Sequence, residues 1–383
     1  MWSMNDVCRT LALALAWYCW GGSGAWAQET PSKPSQETSA PSSAKQDGAS
    51  IGTDASKTHG GKEEPSLTAG GKPVDHIPQR QDMLYEDWRK PELTPGMQSE
   101  AMPIDREEGR EVIRELMHMQ WRELDPIDLW VIRPSKVKSP PVILYLYSYP
   151  SSNDRYKDRK FCEFLARNGF AAVGFVPAMT EHRFHDRPTA DWFVSQLTES
   201  LGTSVHDVQM VLNYLASRHD FDMDNVGMWG DGAGATIAIA AAAVDPRIKV
   251  LEVLDPWGDW PNWLAKSTLV PDKERETYLK PDFLKAVEAF DPVKNLPRLK
   301  TQQIRIQHID SVTVTPAIVR QHIEAAAPAN PTIVHYESTQ QFFKEVGSKG
   351  TGFDWLKEQL GPNIPMRARG EATSIEAGNS NPK

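Results

Sequence analysis

The sequence predicts an α/β fold: an eight-stranded, mostly parallel sheet with helices on both faces and a small Trp-rich cap. Three observations carry this. The run Val142 to Tyr147 is apolar throughout, as a strand buried on both faces should be. From there to Tyr336, strand-like apolar runs alternate with segments of helical period, the pattern of a covered parallel sheet. Third, Val226 to Thr236 reads V-G-M-W-G-D-G-A-G-A-T: a strand, a glycine turn, then an Ala-rich helix.

The elements follow in order. Ile104 to His118 carries Val112, Ile113, Leu116 and Met117 at helical spacing, which predicts a helix. Met119 to Leu124 and Ile127 to Ile132 read as two strands around Asp125-Pro126. After the Val142 strand, Asp158 to Asn168 is a helix closed by Gly169, and Phe170 to Val176 a buried strand. Val205 to Ser217 is a helix with Val208, Val211, Leu212 and Leu215 on one face, and Thr203 or Ser204 is placed to cap it. Asn225 to Trp229 is a strand, and Ala235 to Val244 the helix after the glycines. Lys249 to Leu254, Gln303 to Ile309 and Thr332 to Tyr336 complete the sheet. A helix near Ile318 to Ala327 joins the last two strands, and Gly352 to Leu360 can close the domain.

The flanks read differently. Leu11 to Trp20 is apolar but too short to span a bilayer, and Ala25-Trp26-Ala27 resembles a cleavage site. Residues 1–27 are therefore read as a signal peptide cut before Gln28, with an uncleaved anchor as the alternative. Residues 28–80 are rich in Ser, Pro, Gly, Lys, Gln and Thr and lack large apolar side chains, the composition of a disordered linker. Residues 361–383 read the same way, leaving 81–360 as the folded domain. Cleavage leaves Cys162 as the sole cysteine of the mature chain. It is flanked by Phe161, Phe164 and Leu165, the setting of a buried structural thiol. The net charge of −9 argues against a nucleic-acid surface, and no membrane span is expected after cleavage. An exported protein, periplasmic or extracellular, is the expectation.

From Trp121 to Leu360 the chain resembles the α/β-hydrolase superfamily, especially its dienelactone-hydrolase and prolyl-oligopeptidase-like esterases. The resemblance rests on the Val226–Thr236 turn, on D-P-V-K-N-L-P-R-L (Asp291 to Leu299), and on I-R-I-Q-H-I-D (Ile304 to Asp310). It implies a nucleophile elbow, G-x-S-x-G, with Ser on a strained strand-to-helix corner. Two registers compete. Asp231 at the tip places bulky Trp229 where a small residue belongs. Gly232 at the tip places Gly230 and Gly234 there, and glycine adopts the required φ without strain. Gly232 is the preferred tip, and it has no nucleophilic atom.

The other triad positions depart from the family as well. The family acid aligns with Ser311, with Asp310 one residue early. The family histidine aligns with Gln340 or Gln341, and His335 lies inside the preceding strand. Ser148-Tyr149-Pro150 replaces the His-Gly pair of the oxyanion loop. The resemblance thus implies a degenerate triad at Gly232, Asp310 and Gln340, with no cofactor and no metal. His182, His185 and Asp186 have metal-like spacing but read better as solvated loop residues. Asp231, Asp255, Trp257, Trp260 and Trp263 are the candidate ligand-binding residues, the tryptophans lying in a cap segment over about 255–297. The expected function is binding of a small molecule or an envelope protein. The alternative is an active esterase- or peptidase-like hydrolase rewired around Asp231 and Asp310, with His308 or His182 as its base.

Overall fold

The computed structural model describes residues 86–361, apart from short stretches at 99, 123–124, 149–153, 179–182, 184–193, 300–301 and 349–353. The readings of a signal peptide, a linker and a tail, and those of His182, His185 and Asp186, lie outside the described residues, Gly361 apart. No described helix is long and apolar enough to cross a membrane.

Nine strands form one sheet among the described residues, in the order β1-β2-β3-β5-β4-β6-β7-β8-β9. They are β1 (Ala101–Glu108), β2 (Val112–Met119), β3 (Ile127–Pro134), β4 (Pro141–Leu146), β5 (Ala171–Gly174), β6 (Asp222–Asp231), β7 (Ile248–Leu254), β8 (Gln303–Ile309) and β9 (Thr332–Tyr336). The first three pair antiparallel, as do β3 and β5. Every pairing from β5 through β4 to β9 is parallel.

The ninth strand corrects the sequence reading. Ile104 to His118 is no helix; it is most of β1 and β2, and the hairpin partner of β3 is β2 rather than Met119 to Leu124. Ile113 and Met117 sit four apart, a spacing that fits both periods. Along β2, Ile113, Glu115, Met117 and Met119 are buried in alternation. The charge of Glu115 hid that alternation. It is buried because Arg106 and Arg218 bond it at 2.6 and 2.8 Å, with Arg133 at 3.9 Å. A second correction concerns Thr203 and Ser204. The helix begins at Leu197, and their hydroxyls bond the carbonyls of Glu199 and Ser200 inside it. Gly202 lets that helix approach the chain closely: a Cβ there would lie 1.8 Å from the Trp88 carbonyl oxygen.

Both sheet faces are buried. On β4, Val142, Leu144 and Leu146 enter one apolar cluster while Ile143 and Tyr145 enter another. Helices α1 (Arg159–Ala166) and α8 (Asp354–Leu360) contribute to the second. Helices α2 (Leu197–Arg218) and α3 (Ala233–Val244) contribute to the first. The cap supplies α4 (Trp260–Lys266), α5 (Asp272–Tyr278) and α6 (Pro281–Val287), and α7 (Ala317–Ala326) precedes β9. Cys162 is buried on α1, and that burial pushes its thiol up to about 12.

The topology locates the site. From β4 the chain moves to one side, forming β5, then crosses back to form β6 on the other. The loops after β4 and β6 therefore diverge, and the crevice at such a switch point is where open α/β sheets bind ligands. Ser148 follows β4, and Asp231-Gly232 ends β6.

Candidate functional site

Gly232 stands between β6 and α3 with φ +53° and ψ −113°, a backbone that L side chains rarely adopt. The flanking glycines are sterically required. A Cβ on Gly230 would lie 2.6 Å from the Gly234 carbonyl oxygen, and one on Gly234 would lie 2.1 Å from that of Leu146. This geometry places Gly232 at the tip and Asp231 one residue before it.

The space above the tip is filled. A Cβ on Gly232 would meet Ser148 Oγ at 2.2 Å, Ser148 Cβ at 2.8 Å and Trp257 Nε1 at 3.0 Å. Ser148 is buried, and its Oγ accepts from the Ala233 N–H at 3.1 Å. In a serine hydrolase that N–H, on the residue after the nucleophile, is an oxyanion donor; here a side-chain hydroxyl already occupies it. The elbow is also tied to the cap. Gly232 N–H donates to the Leu254 carbonyl at 2.9 Å, and Trp257 N–H to the Gly232 carbonyl at 3.4 Å. Thr236 Oγ1 donates to the Trp257 carbonyl at 2.6 Å.

Neither of the other two triad positions is among the described residues that line the pocket at the tip. Asp310 is half-exposed and meets His335 Nδ1 at 3.2 Å. Gln340 is exposed. Among the described residues, no histidine lines the pocket at Gly232. His308 is fully buried, with Nδ1 3.2 Å from Asp255 Oδ1 and Nε2 3.5 Å from Glu324 Oε1. His335 Nε2 reaches the same Glu324 oxygen at 3.2 Å. This alternating chain of carboxylates and imidazoles holds Asp255 from behind.

A pocket of about 410 Å³, its open mouth included, lies beside the tip. Its polar lining is Asp231, Asp255 and Thr315; the rest is apolar, with Trp257, Phe342 and Phe343 as aromatic walls. Asp255 sits at φ +42°, a region Asp tolerates better than most residues. Its carboxylate accepts from the Ile309 N–H at 3.2 Å, and its carbonyl from Thr315 Oγ1 at 3.0 Å. Asp231 is 6% exposed, and no hydrogen bond or ion pair engages its side chain among the described residues. Burial, and next the charge of Asp255, raise its carboxyl from 3.8 to about 7, with Arg155 opposing. A carboxyl poised there exchanges a proton near neutrality.

The tryptophans divide. Trp257 lines the pocket. Trp260 and Trp263 do not: both are core residues, Trp263 stacking on Trp257 at 4.8 Å and meeting Trp260 edge-on at 5.9 Å. Trp260 Nε1 donates to the Val287 carbonyl at 2.9 Å. Asp291 pins this cap, its carboxylate accepting from the Asp259 and Trp260 N–H groups at 2.9 and 3.2 Å. Sequence reasoning did not single out Ile309, Val312, Val314, Phe342 and Phe343 as lining. Their signal is an alternation of apolar and polar residues after β8, and an aromatic pair just after the position of the family histidine.

No family model matches the chain. Two curated proteins match parts of it. "Putative hydrolase YtaP" of Bacillus subtilis is 27% identical over 165 residues, 39% of this chain and 54% of that protein. "Acyltransferase drtE" of Aspergillus calidoustus is 38% identical over 53 residues, 14% of this chain and 17% of that protein. The matched part thus spans about half of the first relative and under a fifth of the second. Among solved structures, an S-formylglutathione hydrolase from Agrobacterium tumefaciens superposes with a TM-score of 0.51 at 16% identity, covering 68% of this chain and 99% of that one. An acetyl xylan esterase from Paenibacillus sp. R4 does so with 0.50 at 15% identity, covering 68% and 89%. Strand order, elbow and neighbours agree: the chain has the fold of the α/β-hydrolase superfamily.

Proposed function

We propose that this protein is an exported α/β-hydrolase-fold binding protein that has lost serine-esterase chemistry and holds a small ligand in the pocket beside the elbow. The observation that carries this reading is the filled tip. Gly232 has no nucleophilic atom, and Ser148 Oγ takes the Ala233 N–H from where a substrate oxyanion would sit. In a well-studied serine protease, losing the nucleophile costs about 10⁶-fold in kcat. Losing one oxyanion donor costs roughly 10²–10³-fold. The absence of a histidine from the described lining adds to both.

A fluorophosphonate probe and p-nitrophenyl esters test the reading. Neither labelling nor turnover above buffer is expected. Turnover that disappears on Asp231→Asn would overturn it in favour of a second reading, in which Asp231, raised to about 7, serves as a general base in a rewired hydrolase. Asp310, the other residue of that alternative, is not among the described residues that line the pocket.

A further inference from the structure

The described lining of the pocket beside Gly232 carries two carboxyl groups and no counter-charge. It includes Asp231 and Asp255 but no Lys, Arg or His. Asp255 is already held by His308 Nδ1 and the Ile309 N–H. Asp231, nine-tenths buried and lining the pocket, has no hydrogen bond or ion pair to its side chain among the described residues. A buried polar group without a partner is unfavourable, and a buried charge more so. Arg155 acts weakly on Asp231, lowering its carboxyl against burial and Asp255, and its guanidinium is stacked on Tyr147 at 3.3 Å. The walls are Leu254, Ile309, Val312, Val314 and the aromatic side chains of Phe342, Phe343 and Trp257. Such aliphatic and aromatic walls accept an apolar body.

We propose that this pocket selects a ligand that joins one positively charged amine to an apolar body, the amine ion-pairing with Asp231. The inference rests on the binding reading above and names its ligand class. A neutral ligand leaves the carboxyl pair uncompensated, and an anion adds a third negative charge. Behind Asp255 stand His308, Glu324, His335 and Asp310 in sequence; none of them is in the described pocket lining. The ligand cation and the proton on Asp231 therefore compete. Since that carboxyl titrates at about 7, affinity is expected to fall roughly tenfold from pH 8 to pH 6, with close to one proton released per ligand bound at pH 6.

The test is isothermal titration of the folded protein with three matched probes: phenethylamine, 2-phenylethanol and 3-phenylpropanoate. Phenethylamine is expected to bind at least about tenfold more tightly at pH 8 than either isostere. Asp231→Asn is expected to erase that preference. Val314→Trp, which fills the pocket and leaves the acids in place, is expected to abolish binding of all three. Equal binding of 2-phenylethanol, tighter binding of the anion, an unchanged preference in Asp231→Asn, or no binding by any probe would each overturn the proposal. The same samples are assayed with p-nitrophenyl acetate. Asp231-dependent turnover there overturns the binding reading, whatever the amines do, so the two failures are distinguishable.

Discussion

Asp231→Asn removes a charge that folding strains to bury. In the folded protein this carboxyl titrates at about 7, against an ordinary 3.8. Between those values the folded state holds a proton that the unfolded chain has released, so stability falls as pH rises through the window. Each unit is worth about 1.4 kcal/mol, and the full destabilisation above pH 7 is about 4 kcal/mol. Part of it is present at pH 5, since the unfolded carboxyl is by then ionised. From pH 5 to pH 8 a further 2 to 3 kcal/mol or so develops. Asn does not titrate. Its own packing, including any N–H left unbonded at about 1–3 kcal/mol, is the same at both pH values. The wild-type minus variant difference is therefore expected to move by about 2–3 kcal/mol between pH 5 and pH 8, in favour of the variant at the higher pH. Urea unfolding at each pH measures it. Glu252, also raised to about 7 by burial, is present in both proteins and cancels. A difference that moves by less than about 1 kcal/mol would refute the account of Asp231 as a buried, uncompensated acid.

The remaining predictions concern the elbow, the buried ion pairs and processing. Gly232→Ser is expected to destabilise by about 2–3 kcal/mol, from strain at φ +53° and displacement of Ser148, without gaining fluorophosphonate labelling. Adding Ser148→Gly is expected to recover part of that stability, read by thermal melting. Glu86 is held down at about 2: burial opposes this, and hydrogen bonds from His206 and Arg122 outweigh it. Its contribution is present above pH 4.5 and lost as pH falls through about 2. Glu86→Gln is therefore expected to cost up to about 3 kcal/mol at pH 7, a deficit that shrinks in acid unfolding curves. Arg183 is fully buried between Asp125 and Asp207 at 2.6 and 2.8 Å; Arg183→Met is expected to cost about 3 kcal/mol in denaturant unfolding, by leaving Arg122 as the cation paired with both carboxylates. The proposed export predicts that mass spectrometry of the mature protein finds Gln28 at its N-terminus; an intact Met1 would refute cleavage there.

The parallel half of the fold was legible because its cues are local. Apolar runs such as Val142 to Tyr147 report burial on both faces, and the glycines around position 232 report a turn that excludes side chains. The N-terminal hairpin was not legible, because Glu115 is buried only by arginines drawn from β1, β3 and the end of α2. No window of sequence contains all of those partners. The same holds for Trp260 and Trp263: three evenly spaced tryptophans look alike in the chain, and packing alone assigns one to the pocket and two to the core.

The site divides along the same line. That Gly232 lacks a nucleophilic atom is a matter of residue type, and residue type survives any rearrangement of the chain. That Ser148 fills the space above it, and that Asp231 and Asp255 share one apolar pocket, follow from bringing the ends of β4, β6 and β7 to a single switch point. A carboxyl's chemistry is set by its solvent and by the charges beside it. Both are properties of the assembled fold, so the acid at position 231 becomes a poised group only once the sheet has formed.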